Sequence, residues 1–210
     1  MGVIKQGILG GFSGKVGGVV GTSWKGIGVM KAMPLSVANP KTAGQVNNRN
    51  RNTGVLRFAQ EVGTTFIRTY WNRFAKGMSG FNDFMSVNYA SFNGATGLYD
   101  DSKMFTSVGK LDQMNVTSAT GNHVSNLVAN FSARSAAADY VVGDLVDAHF
   151  FNIDKGEGVT LMGIAAAAVS ATVVCPDGWL AGEQVDAFVS CRRADGTAVS
   201  TSAMATCILT

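Results

Sequence analysis

The spacing of the apolar residues changes along this 210-residue chain, and the change divides it into segments with different predicted folds. Across residues 43–74 the apolar side chains follow steps of three and four, the spacing of one face of a helix. From about residue 105 onward the period shortens toward two, which is typical of half-buried β-strands. The sequence therefore predicts an α+β protein whose helices precede its main sheets.

The helical prediction covers residues 39–98. Asn39 is a good N-cap and Pro40 suits the first helical position, so the first helix is expected to begin there. A shorter second helix is predicted within residues 81–92. The apolar stripe of the first helix consists of Val55, Ala59, Val62, Phe66, Tyr70 and Phe74.

Residues 105–210 are predicted to form an antiparallel, immunoglobulin-like β-sandwich, because six or seven short strands fit within this length. Asp195-Gly196 lies between two strand-like segments and is a strong hairpin signal. The spacing of Cys and Trp typical of antibody domains is absent. The predicted strands are 124–131, 145–153, 159–164, 170–175, 184–192 and 198–209.

Residues 1–38 form a third segment, in which nine glycines lie between residues 7 and 28. Each glycine disfavours a helix by about 1 kcal/mol relative to alanine, so short strands are expected instead. We predict a glycine-rich β-type arm or small sheet that is ordered by packing on the rest of the chain or on a neighbouring subunit. The predicted assembly residues are Ile8, Leu9, Val19, Val20, Trp24, Lys25, Ile27 and Met30, with Trp24 as the main anchor.

Composition and charge favour a protein that contacts other subunits. Charged residues make up only 15% of the chain, although a β domain rich in small residues has a similar composition. Residues 1–99 carry a net charge of +9, whereas residues 100–210 carry −6. Such a polarity suits nucleic-acid binding by the first half, head-to-tail docking of copies, or simply two domains with different surfaces.

Residues suited to catalysis or metal binding are sparse. His123 and His149 are the only histidines, and neither belongs to a metal-ligand spacing. The glycines around Lys15 lack the remaining residues of a phosphate loop. Asp139, Asp144 and Asp147 match no calcium loop and are expected to form a solvated rim. We therefore expect no enzyme activity, cofactor, metal or small-molecule substrate.

No apolar run approaches the roughly 18 residues of a membrane span, and the first residues do not resemble a secretion signal, so no membrane partner is expected. Cys175, Cys191 and Cys207 lie in apolar, strand-like segments. They are expected to be buried, reduced thiols, although one disulfide remains open.

Several motifs resemble proteins encoded in the structural regions of phages and prophages. They are Ser13-Gly14-Lys15-Val16-Gly17, Trp24-Lys25-Gly26 and Asn39-Pro40-Lys41-Thr42, followed by a helix bearing Trp71 and by Gly80-Phe81-Asn82-Asp83-Phe84. The resemblance covers most of the chain. It implies a role in the virion, with synthesis in the cytoplasm of the bacterial host.

The predicted function is accordingly that of a structural component of a bacteriophage particle, in a capsid surface, tail or fibre. Its expected partners are copies of itself and other virion proteins. One alternative is a host-surface or glycan adhesin built on the sandwich, which would need exposed aromatic residues at one end; Trp179 is the only tryptophan of that segment. A less favoured alternative is nucleic-acid contact through the basic helical region.

Overall fold

The computed structural model describes residues 3–4, 11–24, 26–36 and 38–210, which form two compact units with a boundary between Lys41 and Thr42. The described residues contain α-helices and antiparallel sheets in separate segments, in agreement with the predicted α+β class. None of these helices is long and apolar enough to cross a bilayer.

The N-terminal unit is a four-stranded antiparallel sheet with the strand order β1-β2-β3-β4. Strands that are consecutive in the sequence are therefore neighbours in this sheet. The strands are β1 (Val3–Ile4), β2 (Phe12–Val16), β3 (Val19–Trp24) and β4 (Ile27–Ala32).

The second unit begins with three α-helices, α1 (Ala43–Val62), α2 (Thr64–Tyr70) and α3 (Gly80–Asn88). The predicted start of α1 at Asn39 and Pro40 is wrong. Lys41 has a φ of 48°, which no helical residue adopts, and the hydroxyl of Thr42 caps the helix by accepting from the backbone N–H of Gln45 at 3.4 Å.

The predicted apolar stripe is buried from Val55 to Tyr70, but it is divided between two helices. Gly63 ends α1 with a φ of 88° and redirects the chain into α2. Because α2 ends at Tyr70, Phe74 lies outside the stripe and is 38% exposed. Tertiary packing therefore preserves the predicted face while shortening the helix.

Two antiparallel sheets follow, one with the order β5-β6-β9 and the other with the order β11-β10-β7-β8. The first strand, β5, was not predicted, because Thr and Ser outnumber its apolar residues. The strands are β5 (Val116–Gly121), β6 (Asn126–Phe131), β7 (Leu145–Asn152), β8 (Glu157–Ala165), β9 (Ser170–Val174), β10 (Gln184–Arg192) and β11 (Ala203–Ile208).

A hydrophobic cluster fills the space between these two sheets, and a second cluster lies between the four-stranded sheet and the helices. The side chains of strand β7 are divided between these two clusters. Val146, Ala148 and Phe150 belong to the first cluster, and Phe151 belongs to the second. Residues 42–210 are therefore one body of three layers, with helices covering the outer face of one sheet.

Phe58 of α1 occupies the centre of the helix–sheet layer and is completely buried. Its ring lies 5.0 Å from Phe151, 5.5 Å from Phe84 and 6.0 Å from Phe188, measured between ring centroids. These distances are typical of favourable aromatic pairs. Phe58 thus joins α1 to α3 and to both central strands, β7 and β10.

Candidate assembly surfaces

Glycines lie in the hairpin turns on either side of β3 in the N-terminal sheet. Gly17 and Gly26 have φ values of 56° and 82° in the turns that join β2 to β3 and β3 to β4. A two-residue hairpin turn requires such positive angles, which side chains disfavour. Gly21 has a different role, since a Cβ atom there would lie 2.3 Å from the carbonyl oxygen of Phe12.

The pairing register gives the N-terminal sheet one face on which none of the described residues is charged. Val16 pairs with Val19, which pairs with Ala32, and residues paired across antiparallel strands share a face. Val16 is 51% exposed and Met30 is 70% exposed. We call this surface the uncharged face; it consists of Phe12, Gly14, Val16, Val19, Gly21, Ser23, Gly28, Met30 and Ala32.

The opposite face of the same sheet carries lysines. Lys15 pairs with Val20, which in turn pairs with Lys31, so both ammonium groups extend from one row of the sheet. Residues 1–41 contain five lysines and no acidic residue, so no carboxylate within this unit neutralises them. We call this surface the basic face; it consists of Ser13, Lys15, Val20, Thr22, Ile27, Val29 and Lys31.

The predicted assembly residues divide between these two faces. Val19 and Met30 lie on the uncharged face, whereas Val20 and Ile27 lie on the basic face. The backbone of Trp24 pairs with Ile27. Ile8, Leu9 and Lys25 lie outside the described residues.

Sequence reasoning missed Phe12, Val16 and the two lysines of the basic face. Alternation along β2, counted back from the Gly17-Gly18 turn, is the signal that assigns Phe12, Lys15 and Val16 to faces, and alternation along β4 assigns Lys31.

The acidic residues near β7 are buried in ion pairs, so the predicted solvated rim is wrong for Asp144 and Asp147. Asp147 accepts hydrogen bonds from the Tyr70 hydroxyl at 2.8 Å, the Arg192 guanidinium at 2.7 Å and the backbone N–H of Gly163 at 2.6 Å. Burial, followed by the nearby Asp147 carboxylate, raises the pKa of Tyr70 well above its usual value. This phenol therefore remains a neutral hydrogen-bond donor.

A second buried ion-pair network is formed by Arg134, whose side chain is 1% exposed, and two aspartates. Its guanidinium contacts Asp139 at 2.5 Å and Asp144 at 3.1 Å. Asp139 also accepts from the backbone N–H of Asp112 at 2.9 Å. Among the described residues, no group of three His, Cys, Asp or Glu side chains is arranged to hold a metal ion. These carboxylates instead fix the loops before β7.

The two histidines occupy different environments. His149 is completely buried, and its Nδ1 lies 2.8 Å from the Thr160 hydroxyl, which itself donates to the carbonyl oxygen of Val62. We therefore assign the proton to Nδ1, which leaves Nε2 buried without a hydrogen-bond partner. Burial lowers the pKa of His149 from 6.5 to about 3. His123 is half-buried, with its Nδ1 2.7 Å from the carbonyl oxygen of Thr210.

The three cysteines are free thiols; Cys175 and Cys191 are buried as predicted, whereas Cys207 is half-buried. Cys175 and Cys191 belong to the cluster between the two sheets, and Cys207 packs against it. Burial raises the pKa of all three thiols, so each remains protonated near neutral pH.

The aromatic residues on which the alternative functions depend are mostly internal. Trp179 is 2% exposed and donates its indole N–H to Glu157 at 3.1 Å. Tyr70 and Trp71 of the basic helical region are 1% and 3% exposed. Arg51 donates to the carbonyl oxygen of Phe92, so its guanidinium is already engaged within the chain.

The family of unknown function DUF6266 matches residues 11–205. The chain belongs to this family. The match includes strands β2 to β4 of the N-terminal sheet and nearly all of the three-layered body. No curated protein matches the chain.

Two solved structures are similar to part of this DUF6266 chain. A computationally redesigned β-sandwich protein aligns with 48% of the chain and 96% of its own length, at 13% identity and a TM-score of 0.36. The chitinase ChiW from Paenibacillus sp. str. FPU-7, a cell-surface-expressed multi-modular enzyme, aligns with 49% of the chain at 15% identity and a TM-score of 0.32. This chain spans 8% of the chitinase. Neither similarity bears on function.

Proposed function

We propose that this chain is a structural component of a bacteriophage particle and that it assembles through its N-terminal sheet. The observation that carries the proposal is the uncharged face. Met30, Val16 and Val19 are exposed there at 70%, 51% and 40%, and among the described residues no charged side chain shares their surface. Apolar surfaces of this kind on a soluble chain mark sites of contact with other molecules.

The thermodynamics of a small sheet support this role. Ordering each residue costs on the order of 1–2 kcal/mol of backbone entropy. Burial offsets that cost at roughly 25 cal/mol per Å² of apolar area, and a sheet gains such burial only when another layer covers a face. All six residues of β4 are exposed, so this gain is still available to a partner.

The body of the chain suits a subunit that must be rigid. We propose that its seven strands are immunoglobulin-like, because a three-stranded sheet and a four-stranded sheet enclose one core and the chain alternates between them. The helical layer on the outer face stiffens the central strands. In a lattice protein, such a body would supply the stable fold, and the N-terminal sheet would supply the contact with other subunits.

The assignment to a phage particle depends on the motif resemblance. Some of the residues that carry it lie in the hairpins of the N-terminal sheet, which is the part proposed to mediate assembly. The binding-module and nucleic-acid alternatives receive less support, since Trp179, Tyr70 and Trp71 are buried.

The full-length chain with Met30→Glu tests the proposal. An interface that buries this carboxylate without a partner loses about 3–5 kcal/mol, so the concentration needed for assembly should rise at least about 100-fold. Val142→Glu is the matched control, because Val142 is 87% exposed and lies in the body. Light scattering and negative-stain electron microscopy across a concentration series measure the outcome.

Wild type and Val142→Glu should form the same multimers, while Met30→Glu remains monomeric. A wild-type chain that stays monomeric at every concentration and is missing from purified particles by mass spectrometry would end the structural proposal. Equal assembly of all three chains would remove the N-terminal sheet from it.

A further inference from the structure

One end of the body brings exposed apolar and acidic residues together. The β7–β8 turn and the β9–β10 loop lie at this end, because Asn152 pairs with Val185 at the start of β10. The backbone N–H of Gln184 donates to Asp154 at 2.8 Å, which ties the turn to the loop. We call this surface the acidic end; it consists of Asp101, Asp154, Glu157, Asp177, Val124, Val174, Leu180 and Ile208.

The apolar members of the acidic end are strongly exposed. Val124, Val174, Leu180 and Ile208 are exposed at 77%, 72%, 59% and 55%. Backbone hydrogen bonds hold their loops together: His123 donates to Thr210 at 3.2 Å, Cys175 to Ser125 at 2.9 Å and Gly182 to Leu209 at 2.8 Å. The patch is therefore presented on fixed backbone.

Its carboxylates remain available to a partner. Two lysines at this end are already neutralised, since Lys155 pairs with Glu183 at 3.4 Å and Lys103 pairs with Asp100. Within the described part of the chain, no salt bridge involves Asp101, Asp154, Glu157 or Asp177. The acidic end thus combines uncompensated negative charge with exposed aliphatic side chains.

The basic face has the complementary combination. Lys15 and Lys31 are exposed and form no salt bridge among the described residues, and Ile27 and Val29 beside them are 61% and 38% exposed. Each surface offers aliphatic side chains with charges of one sign, and the signs are opposite. Complementary potentials of this kind guide association and set its register.

Building on the proposed function, we infer that the basic face of one copy docks on the acidic end of a second copy. The two surfaces differ, so the contact is heterologous, and a docked pair still has one free basic face and one free acidic end. Repetition of such a contact produces a ring when the rotation closes and an open fibre or lattice when it does not. The uncharged face then remains for a second contact.

Charge reversal in full-length chains tests this inference. One chain carries Lys15→Glu with Lys31→Glu, the basic-face variant; another carries Asp154→Lys with Asp177→Lys, the acidic-end variant. Each alone should need at least about tenfold more protein to assemble, because like charges then meet at the contact. An equimolar mixture should recover wild-type assembly, since the reversed sheet of one chain meets the reversed end of the other.

The mixture also distinguishes docking between copies from docking within one chain, because a third chain with all four substitutions has complementary charges in either case. Recovery by the mixture supports docking between copies. Failure of the mixture overturns the inference, whether or not the four-substitution chain assembles. As a measurement that needs no variant, wild-type assembly should weaken as salt rises from about 0.05 to about 0.5 M, and insensitivity to salt also overturns it.

The proposed function is tested separately. If wild type assembles, Met30→Glu blocks assembly and neither charge-reversal variant has any effect, the assembly role stands and only the docking inference fails. Circular dichroism of each variant establishes that its secondary structure matches that of wild type.

Discussion

The buried, neutral His149 should make the fold less stable as pH falls from 7 to 5, because the imidazole is protonated in the unfolded chain and not in the folded one. Its imidazole is completely buried, Nδ1 bonds to Thr160, and Nε2 has no partner that a second proton would reach. Burial lowers the pKa of His149 from 6.5 to about 3. For a base with a lowered pKa, the unfolded chain binds the proton first, so stability is intact above pH 6.5 and falls as pH drops below it.

The size of the effect follows from these two pKa values. Between pH 7 and pH 5, His149 should remove about 2 kcal/mol from the free energy of unfolding. Asp186 acts in the opposite direction, because burial raises the pKa of its carboxyl from 3.8 to about 6. Its contribution over the same interval is a gain of about 1 kcal/mol, so the wild-type curve alone does not isolate His149.

The assay is therefore a comparison of wild type with His149→Phe. The substitution keeps an aromatic ring between Phe58, Phe151 and Phe188, and the Thr160 hydroxyl retains its bond to Val62. Urea unfolding of dilute protein at pH 7, 6 and 5 gives both free energies. The variant should gain about 2 kcal/mol relative to wild type from pH 7 to pH 5.

Val142→Ala is the control, because Val142 is 87% exposed and lies in the body. Its free energy of unfolding should follow that of wild type across the pH series, since the substitution adds and removes no titratable group. Parallel curves for His149→Phe and wild type would refute the reasoning, and so would an imidazole of His149 that titrates above pH 5 in the folded protein by NMR.

Two further substitutions test the helix–sheet layer and the buried carboxyl. Asp186→Asn should raise the free energy of unfolding by about 1–3 kcal/mol at pH 7 and give little gain at pH 4, because a raised carboxyl pKa penalises the folded state only as pH rises. Loss of stability at pH 7 in urea titrations would contradict this. Phe58→Ala should remove about 3–5 kcal/mol, as expected for a fully buried aromatic side chain. Leu56→Ala, at a position 38% exposed on the same helix, should cost far less in thermal unfolding; equal losses would contradict the proposed centre of the layer.

Much of the local structure was determined by the sequence, because local structure depends on periodicity and turn chemistry. The apolar stripe predicted the buried positions from Val55 to Tyr70, and alternation located most strands of the body. Periodicity failed where a strand is made of small polar residues, as in β5 (Val116–Gly121). Capping preferences failed at the start of α1, where the left-handed conformation of Lys41 decides the boundary.

Only the tertiary structure decided which side of each alternating strand is covered. Along β7, Asp147 and His149 alternate with Val146, Ala148 and Phe150. From the sequence alone, this pattern predicts one solvent-exposed face and one buried face. The helices cover the polar side as well, so that carboxylate and that imidazole are buried.

The same limit applies to the assembly surfaces. A period of two assigns residues to two faces, but the pairing register determines which residues of other strands join them. The register separates Val19 from Val20 and brings Lys15 beside Lys31. The residues of the acidic end likewise lie in loops that are distant in sequence and come together only in the folded chain. Such contacts depend on how strands pair in space, which the order of residues along one strand does not specify.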